Sequence, residues 1–379
     1  MFNTILRYEI KKLISNKIMI TAFVLMIIAS LTMGLNEEGL SSNRHASKIS
    51  EERNALNGRI LDDALIGDMS REALDEYGLV WETEDIAYED AAAIVTDTVG
   101  ENIPLNMIDS GLLYGKREQA IDEALEMALA TDEERSYWER EESRVQIPFT
   151  VENVNSPVAM ANGLANIAVL GIFYTVICLS GVFAGEYRTR TDKLILSSRN
   201  GHKMLLAAKV ISGMMFALVS ILIVTVVFVA VTVACWGTEG FDAMVQLQCP
   251  FCASSLTQGD LIRNIIILLF TATILTAVAT IALSEVVRNE IAVMGIMIAL
   301  NVGAFAAGLF VPSEMRVISQ AVSMAPMTFI SPRMLYEFRL IGREGHYLRA
   351  YEFVPLLYIV LSLALLVICS VHYLKPRRR

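Results

Sequence analysis

Six stretches of this sequence run for eighteen residues or more without an aspartate, glutamate, lysine or arginine: Ile18–Leu35, Ala165–Phe183, Val210–Ala234, Ile265–Leu283, Ile291–Phe310 and Phe353–Leu374. About 20 apolar residues cross the roughly 30 Å hydrocarbon core of a bilayer as a helix. A chain in lipid must satisfy its own backbone hydrogen bonds, and continuous runs of this length do so as helices. Mean hydropathy of +0.49 and 54% hydrophobic residues agree with a membrane protein rather than a soluble one. The expected fold is an all-α membrane protein with six transmembrane helices. Ile18 to Leu35 follows a basic flank and leads into Asn36-Glu37-Glu38 without a small-x-small pattern, so it reads as a span and not as a cleaved signal peptide.

The net charge of −10 divides unevenly. Residues 36–164 hold 29 acidic and 10 basic residues, while the remainder holds 12 acidic and 21 basic residues. Lysine and arginine set orientation. They gather at Arg7, Lys11, Lys12 and Lys17, at Arg188, Arg190, Lys193, Arg199, Lys203 and Lys209, and in the tail 375–379. Six spans put these three groups on one side, expected to be cytoplasmic with both termini. The segment 311–352 falls on the other side despite Arg316, Arg333, Arg339, Arg343 and Arg349, because Glu314, Glu337, Glu344 and Glu352 nearly balance them.

Within residues 1–17, Phe2, Leu6, Ile10 and Leu13 recur at helical spacing. That pattern predicts an amphipathic helix lying in the membrane interface, although any basic flank before a first span looks similar. Residues 36–164 form an acidic extracytoplasmic domain, mostly helical, with helices expected over Ser50–Leu65, Ser70–Tyr77 and Lys116–Ala130. Ser70 and Thr131 are expected N-caps, the latter in a capping-box pattern with Glu134. Trp81, Trp138, Tyr77, Tyr88 and Tyr137 are available for a small core, and the alternation of Arg144–Val154 suggests a strand. In 311–352 the run Met324–Pro332 is apolar but too short to span; it is either re-entrant or a short surface helix.

No catalytic residue stands out. Gly115-Lys116 lacks the spacing of a phosphate-binding loop, so any ATP chemistry belongs to another chain. His45, His202, His346 and His372 show no metal-ligand spacing. Cys249-Pro-Phe-Cys252 offers a structural disulfide, free thiols or, least simply, a redox site, which normally needs a thioredoxin-like fold. Thr273, Thr276, Thr280 and Ser284 share one face of the fourth span; Ala299, Gly303 and Ala307 lie four apart on the fifth, with Asn301. Small and hydroxylated residues serve helix contact, or else line a substrate path.

The loop 184–209 is the most informative segment. Glu186, Thr191, Leu194, Ser198-Arg199 and Lys209 follow one another in a pattern that resembles the loop after the second span in permease subunits of type-2, exporter-type ATP-binding cassette transporters. Arg190 stands where glycine is common in that pattern, and Ser197 or Ser198 where proline is. The layout resembles the family over nearly the whole chain, the motif only over this loop. The resemblance implies a bacterial cytoplasmic membrane, a second permease chain (identical or related) and a separate cytoplasmic ATPase holding ATP and magnesium, with no cofactor on this chain and no nucleic acid. It implies coupling to the ATPase through Glu186, Arg188, Thr191 and Arg199, and export of a peptide, drug or lipid-like substrate. Two other readings remain: a membrane-anchored receptor acting through its extracytoplasmic domain, and a thiol oxidoreductase using Cys249 and Cys252.

Overall fold

A computed structural model describes residues 2–35, 52–71, 78–82, 85–189, 201–312, 314–343 and 346–374. The helix α1, Phe2–Ile14, leads directly into α2, Lys17–Leu35. A set of shorter helices follows: α3 (Asp63–Met69), α4 (Ile86–Val99), α5 (Ser110–Met127) and α6 (Asp132–Glu142). Then come α7 (Asn155–Leu179) and α8 (Gly181–Thr189), α9 (Gly201–Trp236), α10 (Gln258–Val287) and α11 (Glu290–Phe310). The short helices α12 (Arg316–Ser323) and α13 (Pro326–Phe329), and an antiparallel hairpin of β1 (Ile341–Arg343) with β2 (His346–Leu348), precede α14, Ala350–Leu374.

Six of these helical segments are long and apolar enough to cross a membrane, in the order expected. They outrun the apolar stretches because polar caps, not hydropathy, end them. Thr257 and Asp260 form a capping box that starts α10 ahead of Ile265, and Asn289 caps α11 by accepting from Ile291 N and Ala292 N. The same chemistry starts the smaller helices. Asp62, Asp85 and Asp109 cap α3, α4 and α5, and Thr131 with Glu134 makes the expected capping box of α6.

Burial ranks the spans. The second is 72% buried within the chain and the fourth 61%, against 11% for the fifth. So α7 and α10 form the centre, with α2, α9, α11 and α14 around them. Contact is close where a side chain is missing. A Cβ on Gly163 would stand 2.1 Å from Phe228, one on Gly171 2.7 Å from Ile221, and one on Gly213 2.7 Å from Ile281. The outward faces of α9 and α14 expose Leu222, Val226, Val360, Leu363 and Val367. Such continuous apolar faces need an apolar solvent.

The three connections at one end of the bundle pack as one body. Leu61, Leu65, Met69, Val95 and Phe149 of the segment between α2 and α7 share a core with Ala243 and Leu247, from the segment between α9 and α10. Ile121, Leu125 and Trp138 share another with Ala253, Phe338 and Leu340. Arg117, 2% exposed, ties the two: its guanidinium donates to the carbonyls of Pro250 (2.7 Å) and Cys252 (3.1 Å), pairs with Glu142, and stacks over Phe149. Arg349, just before α14, pairs with Glu141 and donates to Tyr137 and Ser254. Glu134 pairs with Arg316 and accepts from Leu340 N at 3.1 Å.

Several expectations change. Arg144–Val154 is not a strand; only Thr150 bridges, to Ile60, because Pro148 removes a donor and the segment serves as a lid on the domain core. The chain does not run helical through Ser50–Leu65: a turn at Gly58, with φ of +82°, separates a 3₁₀ turn at Asn54–Leu56 from α3. Ser70 is the C-cap residue of α3, and the helix expected over Ser70–Tyr77 falls on 72–77, which lie outside the described residues. Trp138 is core, whereas Trp81 is 42% exposed. The segment 311–352 is a pair of short helices, a 3₁₀ turn and a hairpin, with Phe329 and Ile330 buried toward α7 and α11.

Replacing Arg117 by methionine strands Glu142 and two carbonyls, a loss on the order of 3 kcal/mol. A lowered thermal unfolding midpoint of the detergent-purified protein, with faster proteolysis of 85–154, is the expected result; an unchanged midpoint contradicts the tie. Burial pushes the Glu134 carboxyl up, but Arg316, Thr131 N and Leu340 N together hold it below its ordinary 4.5. A carboxyl depressed by folding contributes stability that is complete above its unfolded value and is lost as pH falls through the folded one. Thermal scans from pH 6 downward are expected to show that loss in the wild type and a flatter profile in Glu134→Gln.

Candidate functional site

At the opposite end of the bundle the chain brings α1, the α7–α8 junction, the first turns of α9 and the last turns of α10 and α14 to one place. The junction has a local cause. Ser284 on α10 is fully buried, and its hydroxyl donates to Ser180 O (2.6 Å) while accepting from Phe183 N (3.1 Å) and Ala184 N (3.0 Å). A side chain inserted into a helical ladder breaks it, so the second span ends as α7 and resumes as α8.

Beside that break lies Lys209, also fully buried. Its ammonium donates to Val182 O at 2.8 Å, approaches Glu9 Oε2 of α1 at 3.5 Å, and sits 5.1 Å from the centre of the Phe183 ring. Glu9 is 5% exposed. An ammonium and a carboxylate out of water are costly apart and compensate each other together. Glu285, next to Ser284 and fully buried, pairs with the imidazole Nδ1 of His372 on α14. Tyr373 packs on Phe183 with ring centres 5.5 Å apart. Five elements are therefore joined by polar contacts within one patch.

The arrangement has no nucleophile-and-base geometry, and no group of three or more potential metal ligands occurs among the described residues. What it does is mechanical: it fixes both ends of the 184–209 loop. The first end is α8, and the second is the first turns of α9. Glu186 and Arg188 lie on α8, with side chains outside the described set; Thr191 and Arg199 lie outside the described residues.

The remaining sequence-predicted residues do not join this patch. Thr273, Thr276 and Thr280 are buried in the bundle centre, where Thr273 and Thr280 return their hydroxyls to carbonyls one turn back in α10. Those hydroxyls are satisfied within their own helix. Asn301 does the same to Met297 O on α11, and Gly303 faces outward with nothing within 4 Å of a Cβ built on it. Cys249 and Cys252 lie at the far end, both buried and with free thiols. Arg117 and Gln246 hold that loop through its carbonyls. Burial pushes the Cys252 thiol up to about 12 and raises Cys249 as well, away from the thiolate that redox chemistry uses.

Sequence reasoning missed Glu9, Glu285 and His372. A signal existed for the first: Glu9 is the one acid in α1, among Arg7, Lys11 and Lys12. An acid out of place on a basic helix invites a search for its cation.

A family model described as ABC-2 family transporter protein matches residues 3–376. No curated protein and no solved structure matches the chain.

Lys209→Met leaves Glu9 buried without its cation and is expected to cost on the order of 3 kcal/mol. Adding Glu9→Gln is expected to restore part of that loss, because the stranded charge goes with it. Thermal midpoints of the two variants, with trypsin sensitivity at Lys11 and Lys12, test the pair. Equal midpoints for single and double variants would remove Glu9 as the partner.

Proposed function

This chain belongs to the ABC-2 transporter family, and from that premise we propose that it is the permease subunit of an exporter powered by a separate ATPase. Membership makes it a multi-pass transmembrane subunit of an ATP-binding cassette transporter; the rest of the reading is built on the patch around Lys209. Its carrying observation is that Glu9, Val182 and Lys209 bind α1 to both ends of the 184–209 loop.

In this reading the α1 end is cytoplasmic and α1 lies in the membrane interface. The ATPase holds ATP and magnesium, and it docks against 184–209, where Glu186, Arg188, Thr191 and Arg199 supply the contacts. A push on that loop reaches α1 through Glu9, α10 through Ser284 and α14 through the pairing of Glu285 with His372. Such ties move five elements together, which is what switching a pathway between two faces requires. The body formed at the other end lies outside the cell membrane. Its substrate is a peptide, a drug or a lipid-like molecule.

A second permease chain, identical or related, completes the pathway. Support comes from α11, the least buried span. Gly295, Ala299 and Gly303 recur four apart on it, all exposed, with open space beside both glycines. A small-residue face suits close approach of another membrane helix, and no described residue of this chain comes within 4 Å of a Cβ built on either glycine.

A mild-detergent pull-down of the tagged chain from its native membrane, followed by mass spectrometry, tests the proposal. A stoichiometric soluble ATPase is expected, depleted about a hundredfold when Glu186 and Arg199 are both charge-reversed, as the loss of two charge-assisted contacts implies. Recovery of the chain without an ATPase, under conditions that keep other transporter complexes intact, would turn the proposal toward the receptor.

A further inference from the structure

A cavity of about 760 Å³ opens at the domain end of the bundle, away from the patch around Lys209. Its walls come from four places: Met127 and Ala128 at the end of α5, Ala165, Asn166 and Val169 of α7, Phe305, Gly308 and Leu309 of α11, and the segment from Ser319 to Arg339. Most of the wall is apolar. Phe305 is 44% exposed and Leu309 70%, and beside them Phe310, Val317 and Ile318 also face outward. These residues end the apolar face of α11, so the mouth of the cavity sits at the edge of the hydrocarbon zone.

The polar part of the wall is positive and unsatisfied. Glu337 is taken by Arg339, whose guanidinium meets it at 2.7 Å and also reaches Ser319. Arg333 is exposed and has no ion-pair partner among the described residues. Thr328 Oγ1 is buried with no hydrogen-bond partner, a condition that ordinarily calls for a ligand or water. An apolar cavity of this size with a few polar groups has the character of a small-molecule site.

We infer that this cavity binds an acidic phospholipid of the surrounding bilayer. The phosphate pairs with Arg333, which offers the forked donor geometry that phosphates accept. Thr328 and Asn166 supply neutral hydrogen bonds, and part of one acyl chain lies along Val169, Phe305 and Leu309. The volume holds a headgroup and the upper part of a chain, leaving the rest in the bilayer. A bilayer lipid reaches the mouth along the apolar face of α11 without crossing water, which a soluble anion cannot do. The site is distinct from the ATPase-docking end and does not depend on the identity of the cargo.

The test uses the full chain in nanodiscs of phosphatidylcholine with a few per cent of phosphatidylglycerol carrying a photoactivatable acyl chain. After illumination, adducts are mapped by mass spectrometry. Adducts are expected to concentrate in 305–311 and 326–334. Arg333→Glu is expected to reduce them about tenfold, the loss of one charge-assisted contact. Gly308→Leu should reduce them too without changing charge; a Cβ there has ordinary contacts, 3.7 Å to Val322 and 3.8 Å to Thr328, so the larger side chain fills space rather than displacing backbone. A phosphatidylcholine probe at the same load is expected to label these residues about tenfold less. Three results would overturn the inference: labelling spread evenly over the outward faces of α9 and α14, equal labelling by the two lipids, or adducts unaffected by both variants.

Discussion

In a bilayer one helix face gains little by burying against another, since lipid is as apolar as leucine. The packing of the spans therefore depends on contacts that work without a hydrophobic gradient: close approach and internally satisfied polar groups. The contacts of α9 with α7 and α10, and the interior of α10, show both. Gly171 admits Ile221 of α9, Gly213 of α9 admits Ile281, and the threonines of α10 turn their hydroxyls back on their own carbonyls. Ser284 then exports that economy to a neighbour, giving its hydrogen bonds to α7 and α8. The break in the second span is thus a bonded structure rather than a weak point.

Charged groups are confined to the two ends, and at both ends they join elements far apart in sequence. At one end Lys209 meets Glu9 across 200 residues; at the other Arg349 meets Glu141 across 208. The two sets differ in character. The first is a sparse group of carboxylate, ammonium and imidazole around a helix break, suited to passing a displacement. The second is a dense mesh of arginine, glutamate and tyrosine locking three connections into one body, suited to resisting one.

The sequence announced the six spans because a run without charge over eighteen residues has few other uses. It announced the Thr131 capping box because capping is local: residues three apart carry the whole signal. It hid whatever depends on partners brought from a distance. The alternation of Arg144–Val154 looked like a strand, but its apolar residues serve a helical domain's core, and its pairing is limited to the short bridge of Thr150 with Ile60. Cys249 and Cys252 left several readings open, and spacing alone cannot show that Arg117, more than 130 residues away, holds that loop by its carbonyls. Ser284 was visible as one of four hydroxyls on a face, yet only the fold distinguishes it from the threonines that bond within α10.

The body at the domain end is assembled from three separate connections, and this bears on how the chain is made. Trp138 donates its indole N–H to the carbonyl of Phe338, 200 residues later. At ordinary synthesis rates of about 5–20 residues per second, that partner appears roughly 10 to 40 s after the tryptophan. Arg117 meets Pro250 and Cys252 earlier, but until then the Trp138 site stands empty, and the domain closes only when the stretch preceding the last helix arrives. Completion of the domain therefore reports that every earlier span has been threaded in the right sense: a misoriented helix would deliver the late partners to the wrong face of the membrane, and the domain would stay open to proteases.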